Sequence, residues 1–296
     1  MSETKPDIIT ARQRRTMGLR AKLPRVPWFA SIILVAIILV TIFAPILTPY
    51  SPEELHLPQR FQPPAWEDGG STEFLLGTDT VGRDLLTRIY YGARVSLLVA
   101  VIVLAIGGIF GLAMGIIAGY VRGIVGIVIM RIVDSLIALP AILIAIVFAM
   151  TMQPGIRTVI VAITVVLWAR FARVIRGEVI SIANSAYILQ AKVAGTSEVK
   201  IMLVHIIPNV FNTFMILLSL HIGWVILIEA SLSFLGAGIP PPTPSWGQMV
   251  AEGRGYVTSA WWISFFPGLA LALTVLASNM FGDWLRDRLD PKLRQL

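Results

Sequence analysis

Long apolar runs dominate the chain, and its charged residues collect in short stretches between them. A helix crossing the roughly 30 Å hydrocarbon core of a bilayer needs about 20 apolar residues. Five runs meet that length directly, at 28–48, 95–121, 135–152, 202–228 and 257–282. A further stretch, 158–169, covers only about 18 Å as a helix and is closed by Arg170, Arg173 and Arg176. It spans if those arginines sit at or beyond its end, with their heads drawn to the lipid headgroups. The pattern therefore predicts an all-α integral membrane protein with six transmembrane helices. The apolar core of the first run is too long for a signal peptide. No small-x-small cleavage site follows it before Pro45 and Pro49, so a retained anchor is expected.

Orientation follows from the basic residues, because basic loops stay cytoplasmic. Lys5, Arg12, Arg14, Arg15, Arg20, Lys22 and Arg25 precede the first span, and Arg286, Arg288, Lys292 and Arg294 follow the last. Both termini are predicted to be cytoplasmic, which an even number of crossings satisfies. The inner loops agree: Arg122 and Arg131 flank one, and Arg170, Arg173, Arg176, Lys192 and Lys200 fill the other. The first outer loop is acidic through Glu53, Glu54, Glu67, Asp68, Glu73, Asp79 and Asp84. The expected organisation is a basic tail (1–27), a first span (28–48) and an extracytoplasmic loop (49–94). A core of five spans (95–284) and a cytoplasmic tail (285–296) follow, and a long cytoplasmic loop at about 177–208 interrupts the core.

Composition strengthens this picture. Of 296 residues 56% are hydrophobic and 14% charged, with mean hydropathy +0.79, far from the quarter-charged average of soluble domains. The net charge of +7 would suit a nucleic-acid binder, but the confinement of basic residues to short inter-span stretches points to the membrane instead. The absence of cysteine excludes disulfides, thiolate metal sites and a cysteine nucleophile. His56, His205 and His221 have no companions at metal-ligand spacing, so no metal site is assigned.

Gly107, Gly111, Gly115 and Gly119 recur every four residues in the second span and form one stripe. Such a stripe lets two helix backbones approach closely in lipid. The neighbour lies either in the same chain or in a partner subunit. Pro140 should kink the third span. No internal repeat is visible.

The inner loop is itself patterned as helix. Ala183, Tyr187, Ala191 and Ala194 recur at helical spacing. Gly195 then interrupts the helix, Ser197 can cap a second one with Glu198 at its positive end, and Pro208 is expected to stop it. Two short helices meeting at a glycine form a knob suited either to a groove on a soluble partner or to the lipid headgroups.

The loop YILQAKVAGTS (187–197), followed by HIIPN (205–209), resembles the cytoplasmic "EAA" loop of ABC-importer permeases. LGTDTVGRD (76–84) with YGARVSL (91–97), EASLSFLG (229–236) and FGDWLRDRLDP (281–291) resemble the dipeptide/oligopeptide and nickel branch, specifically its C-type permease subunit. The resemblance covers the chain from the first span onward. It departs from the family at Leu189 and Gln190, which stand where the loop's acidic residue and first alanine are usual.

The resemblance implies a type I ABC-importer permease architecture that imports di- or oligopeptides, with nickel or other small solutes as the alternative. It implies a second homologous permease as heterodimer partner, two cytoplasmic ATPases that bind the ATP and Mg, and an extracytoplasmic substrate-binding protein. The chain has no Gly-Lys-Ser/Thr phosphate loop, so no cofactor is expected in it and hydrolysis falls to other chains. Tyr187, Ala191, Gly195, Thr196, Ser197 and Glu198 are the expected coupling residues toward the ATPase, with Gly195 as the turn. Glu229, late in the fifth span, either lines the outer path with Ser231 and Ser233 or partners a neighbouring helix. Gly77, Asp79, Gly82, Arg83 and Asp84 form an outer motif that either braces a gate or binding protein, or pairs with itself as a surface helix.

Asp134 is expected to pair with Arg131 three residues earlier. Trp246, Trp261 and Trp262, after the stiff segment PPPTPSW (240–246), are expected in an interfacial aromatic belt. The rival from another class, an ion-gradient transporter, would need midplane charges and inverted repeats. A membrane enzyme would need clustered nucleophiles, bases or metal ligands. Neither pattern is visible.

Overall fold

The computed structural model describes residues 26–121 and 123–289. The basic tail residues up to Arg25, the flanking Arg122, and Asp290, Pro291, Lys292 and Arg294 lie outside the described residues. Among the described residues all regular elements are helical, apart from an isolated bridge between Thr78 and Asp84. Five helices are long and apolar enough to cross a membrane, and a sharply bent pair makes a sixth crossing if it counts as one span.

The first span, α1 (Trp28–Leu47), packs its buried Ala30 and Ala44 inward and turns Ile32, Ile38, Ile42 and Ile46 outward. The second, α2 (Leu85–Tyr120), is 36 residues long, or about 54 Å at 1.5 Å per residue. It begins ten residues before the apolar run that signals it. Arg88 and Arg94 break the run but continue the helix, so α2 outreaches a bilayer's hydrocarbon core by roughly 20 Å.

Against α2 lies α5 (Ile156–Ala183), and the glycine stripe forms their contact. A Cβ on Gly111 would stand 2.5 Å from the Phe171 Cβ, and one on Gly119 would stand 2.8 Å from the Val179 Cβ. The stripe therefore serves packing within the chain. In an apolar solvent that offers no hydrophobic drive, this backbone-level approach supplies the dispersion contact holding the pair.

The expected short sixth stretch is instead the 28-residue α5, which runs straight through its arginines. Each finds a partner in the fold. Arg170 stands 4.6 Å over the Trp224 ring, Arg173 pairs with Asp134, and the Arg176 Nε reaches the Ala118 carbonyl at 3.4 Å. Asp134 thus pairs across to α5 rather than with Arg131 on its own helix.

Pro140 does more than kink its span. The helices α3 (Ile124–Ala138) and α4 (Ala141–Thr151) meet at 97°. Proline disfavours helical backbone at the residue before it, and Leu139 is extended at φ −96°, ψ 148°.

After α5 come the short α6 (Ala186–Val193) and α7 (Glu198–Ile201). A π-turn (Met202–Ile206) then feeds directly into α8 (Ile207–Phe234). Pro208 does not stop the helix as expected. It sits directly after the π-turn, whose wider register, with the Ile207 N–H bonded to the Met202 carbonyl, accommodates the proline within a helix that continues from α7. Two helices complete the fold, α9 (Trp246–Gly253) and the last span α10 (Trp262–Leu289).

The core runs along the α2–α5–α8 interfaces through Leu104, Leu167, Phe171, Ile175, Phe214 and Ile226. A smaller cluster of Leu85, Met249, Trp262 and Ile263 seals the end of the bundle where α2 begins.

Candidate functional site

The two ends of α2 carry the two regions of interest. At its C-terminal end sits the knob. Gly195 adopts φ +78°, a conformation in which a Cβ is strained. The Thr196 N–H donates to the Ala191 carbonyl at 3.1 Å and the Gly195 N–H to the Lys192 carbonyl at 3.0 Å. This 6→1, 5→2 pair is a Schellman closure, in which the left-handed residue reverses the chain and satisfies the last carbonyls of α6.

Ser197 occupies the N-cap position of α7 but makes no side-chain capping hydrogen bond, in contrast to the expectation, while Glu198 does stand in the first turn. The expected continuous face of small residues is also divided. Ala183 ends α5, whereas Tyr187 and Ala191 lie on α6 beyond a break at Asn184 and Ser185.

Two buried isoleucines, Ile188 and Ile201, root the knob in the bundle. The Tyr187 ring meets His205 edge-on at 6.2 Å, and Lys192 stands 4.8 Å from the Tyr120 ring at the end of α2. The opposite surface is apolar and open: Leu189 is 51%, Val193 90% and Val199 60% exposed. Such a group of exposed apolar side chains at a chain reversal is surface open to either protein or lipid.

At the N-terminal end of α2 the outer motif is a tight loop, not a surface helix. Gly77 (φ +79°) and Gly82 (φ +83°) make its two reversals. A Cβ on Gly82 would lie 2.0 Å from the His56 carbonyl oxygen, so the loop closes directly on backbone. Asp79 is 1% exposed. Its Oδ1 accepts from the N–H groups of Val81 and Arg83 at 2.9 and 3.0 Å. Asp84 caps α2, its Oδ2 accepting from the Thr87 N–H at 2.8 Å and the Thr87 hydroxyl at 2.6 Å. Burial pushes the Asp84 carboxyl above its usual value, against the opposing pull of those Thr87 hydrogen bonds.

The other Asp79 oxygen, Oδ2, accepts from Arg83 Nε at 2.6 Å and also pairs with Arg88. Both arginines in turn reach Glu252 Oε2 on α9, at 3.2 Å from Arg83 and 3.1 Å from Arg88. Two carboxylates and two guanidinium groups thus form a charge-balanced square, buried except at the partly exposed Glu252, that ties the loop, α2 and α9 together. Arg88 and Glu252 were not foreseen from the sequence. The available signals were the spacing of Asp79, Arg83 and Arg88 at the head of an apolar run and the Gln248–Glu252 pair one helical turn apart.

Trp246 and Trp262 belong to this assembly rather than to an interfacial belt. They are 1% and 5% exposed and donate through Nε1 to the Ile89 and Thr78 carbonyls at 3.0 and 3.1 Å. Trp261 instead donates to Glu67 at 3.0 Å.

Glu229 on α8 is fully buried. Its two oxygens accept from the Ser96 hydroxyl of α2 at 3.0 Å and from the Ser233 hydroxyl one turn on at 2.9 Å. Ser231 lies apart, its hydroxyl returned to the Leu227 carbonyl at 2.7 Å. The structure therefore joins Glu229 with Ser233 and the unforeseen Ser96, and leaves Ser231 outside that group. No group of three or more metal-ligating side chains occurs among the described residues.

Residues 111–295 match the model of the binding-protein-dependent transport system inner membrane component, and residues 25–64 match the N-terminal transmembrane domain of oligopeptide transport permease C. This chain is a binding-protein-dependent transport permease. Such a permease is an inner-membrane protein, in keeping with its apolar helices.

It is 45% identical over 261 residues to the dipeptide transport system permease protein DppC of Escherichia coli, covering 88% of this permease and 87% of that one. To the di/tripeptide transport system permease protein DppC of Pseudomonas aeruginosa it is 39% identical over 258 residues, covering 87% and 85%. Among solved structures, a chain of the inward-facing MetNI methionine ABC transporter matches at TM-score 0.56 and 16% identity. It covers 70% of this permease and 96% of that chain. The shared fold is that of an ABC importer permease.

Proposed function

We propose that the chain is the pore-forming permease subunit of an ATP-driven importer that moves di- and oligopeptides inward. The observation that carries this reading is the apolar knob closed by the Gly195 turn, in a chain whose relatives of 39% to 45% identity are peptide-transport permeases. In this reading the knob faces the cytoplasm together with both termini, and a partner ATPase docks on Leu189, Val193 and Val199. A second, homologous permease completes the pore, two ATPases hold the ATP and Mg, and an extracytoplasmic protein delivers substrate to the end that carries Asp79 and Asp84.

The knob acts as a lever because of how it is held. Ile188 and Ile201 anchor it, and α7 continues without a break through the π-turn into α8. Force applied at Gly195 passes into the helix that carries Glu229. The usual acidic residue of the loop is replaced by Leu189, so apolar contact and the Gly195 turn, rather than a carboxylate at that position, make the joint. Tyr187 and Ala191 shape α6 at the contact, and Thr196 closes the turn. Glu229 with Ser233 fastens α8 to α2 beside the path, and the outer motif from Gly77 to Asp84 holds the loop layer that meets the delivery protein.

The test is Gly195→Val in the assembled importer. The left-handed backbone disfavours a branched residue by about 1–2 kcal/mol, enough to distort the knob without unfolding a bundle. Membrane insertion should persist while peptide uptake and peptide-stimulated ATP hydrolysis fall together. Normal uptake by the variant would refute the lever.

A further inference from the structure

The seam between α8 and α10 opens as a V. Its closed end is packed on glycine. A Cβ on Gly223 would stand 2.8 Å from the Asn279 Oδ1, and one on Gly282 would stand 3.1 Å from the Leu220 Cδ2. Nearer the knob the two helices part, and with α5 they enclose a cleft of about 390 Å³. Glu178, Asn209, Asn212, Thr213 and Arg286 stand in its wall among aliphatic side chains.

Polar side chains continue past the cleft. Asn279 precedes Arg286 by seven residues, about two helical turns, so both lie on one face of α10. It is exposed, although it sits in the apolar stretch FFPGLALALTVLASNMFG (265–282) of the last span. Asn212 is likewise exposed within its span. Neither amide has a hydrogen-bond partner among the described residues.

Acyl chains offer an amide no hydrogen bond, so polar side chains within a span turn to a bundle interior or a water-filled cavity. At the mouth of the V, Glu178, Asp283 and Arg286 are exposed and form no ion pair among the described residues. Charged residues are depleted from the packed core of a protein–protein interface. This face therefore suits water better than a second permease packed against it.

We propose that the V is the water-filled inner mouth of the translocation path, with Asn212 on its wall and Asn279 at its deep end. An amide presents both donors and acceptors and carries no charge, so the deep wall neither holds nor repels a passing solute by its sign. The α8 wall is also the one that moves. It continues from α7 through the π-turn, so displacement of the knob swings it against α10 about the glycine-packed end. The inference rests on the importer reading and gives the path's exit a place on this chain.

The natural chain has no cysteine, so Asn212→Cys, Asn279→Cys and, on the outward face of α1, Ile38→Cys each give this subunit one thiol. The purified permease–ATPase complex in lipid nanodiscs is treated with a permanently charged methanethiosulfonate, and the mass of this chain is followed. Only a thiol that water can ionise reacts, so Asn212→Cys and Asn279→Cys should be labelled at least about tenfold faster than Ile38→Cys. Trapping with ATP and vanadate, which draws the ATPases together, should slow labelling of Asn279→Cys and leave Ile38→Cys unchanged.

An Asn279→Cys labelled no faster than Ile38→Cys, whether lipid or a second permease covers it, overturns the mouth, and labelling that trapping leaves unchanged overturns the moving wall. Should Asn279→Cys fail to assemble, Asn212→Cys carries both comparisons. Dialanine uptake by cells carrying the unaltered importer is measured in parallel. Its absence defeats the importer reading, whereas uptake with an unreactive Asn279→Cys defeats the mouth alone.

Discussion

Arg88, on the second spanning helix, and Glu252, on the short helix before the last span, form an ion pair at 3.1 Å, with no part of the Arg88 side chain exposed. Asp79 completes the neutralisation of Arg88 from the loop side. A buried pair of this kind is weak evidence for stability in itself, but removing one partner strands the other in a low-dielectric setting.

Arg88→Met should therefore destabilise the purified complex by about 3–5 kcal/mol, read as a lowered thermal midpoint. Glu252→Gln should cost less, because that side chain is partly solvated. The double variant should fall short of the sum of the two by at least about 0.5 kcal/mol. Strict additivity would mean that the two side chains do not share their energy.

Glycine positions give a sharp internal contrast. Gly111→Val drives a side chain into Phe171 and the Trp168 carbonyl, and overpacking of this kind costs about 1–3 kcal/mol or more. Gly177 on α5 has open space around its Cβ direction, so Gly177→Ala should be neutral or stabilise by up to about 1 kcal/mol. Yield of folded complex after detergent extraction separates the two.

Asp84 predicts a pH dependence. Its carboxyl is raised in the folded protein because burial disfavours the charge. Folding is then favoured by protonation: this contribution is fully present below the unfolded carboxylate value and is lost as pH rises through the folded one. Asp84→Asn keeps an acceptor for Thr87 and removes the charge. It should match or exceed the parent's thermal midpoint at neutral pH and lose part of the parent's pH response in the acid range. Asp84→Ala should lose about 1 kcal/mol at either pH through the missing cap. A neutral-pH loss for Asp84→Asn as large as for Asp84→Ala would contradict this.

Val193 tests the knob without touching the bundle. It is 90% exposed, so Val193→Asp should change stability by no more than about 0.5 kcal/mol yet release the ATPase during purification. Retained ATPase would place the contact elsewhere.

Much of the fold was legible because lipid imposes simple rules on sequence. Most uncharged runs located spans, although the run at 135–152 falls across the 97° break between α3 and α4; the four-residue glycine period located the close-packing face of α2 but not its neighbour, and Gly195 located the knob's reversal. What stayed hidden was tertiary. The arginines of α5 and the head of α2 looked like helix ends, because charge in a span is costly, and only the partners Asp134, Trp224, Asp79 and Glu252 make them tolerable. Trp246 and Trp262 had the composition of an interfacial belt, and their burial depends on backbone carbonyls at Ile89 and Thr78 that no local pattern announces. At Pro208 a π-turn absorbed what was expected to be a stop. At Ser197 the expected cap has the right residue in the right place but lacks its hydrogen bond.

Whether this chain works as one permease of a multi-subunit, ATP-driven peptide importer is decided by purifying it from its native membrane in mild detergent and identifying what stays bound by mass spectrometry. A second permease and one or two ATPases should be recovered with it. Recovery of the chain alone, with transport in liposomes that needs no ATP, would overturn the importer reading.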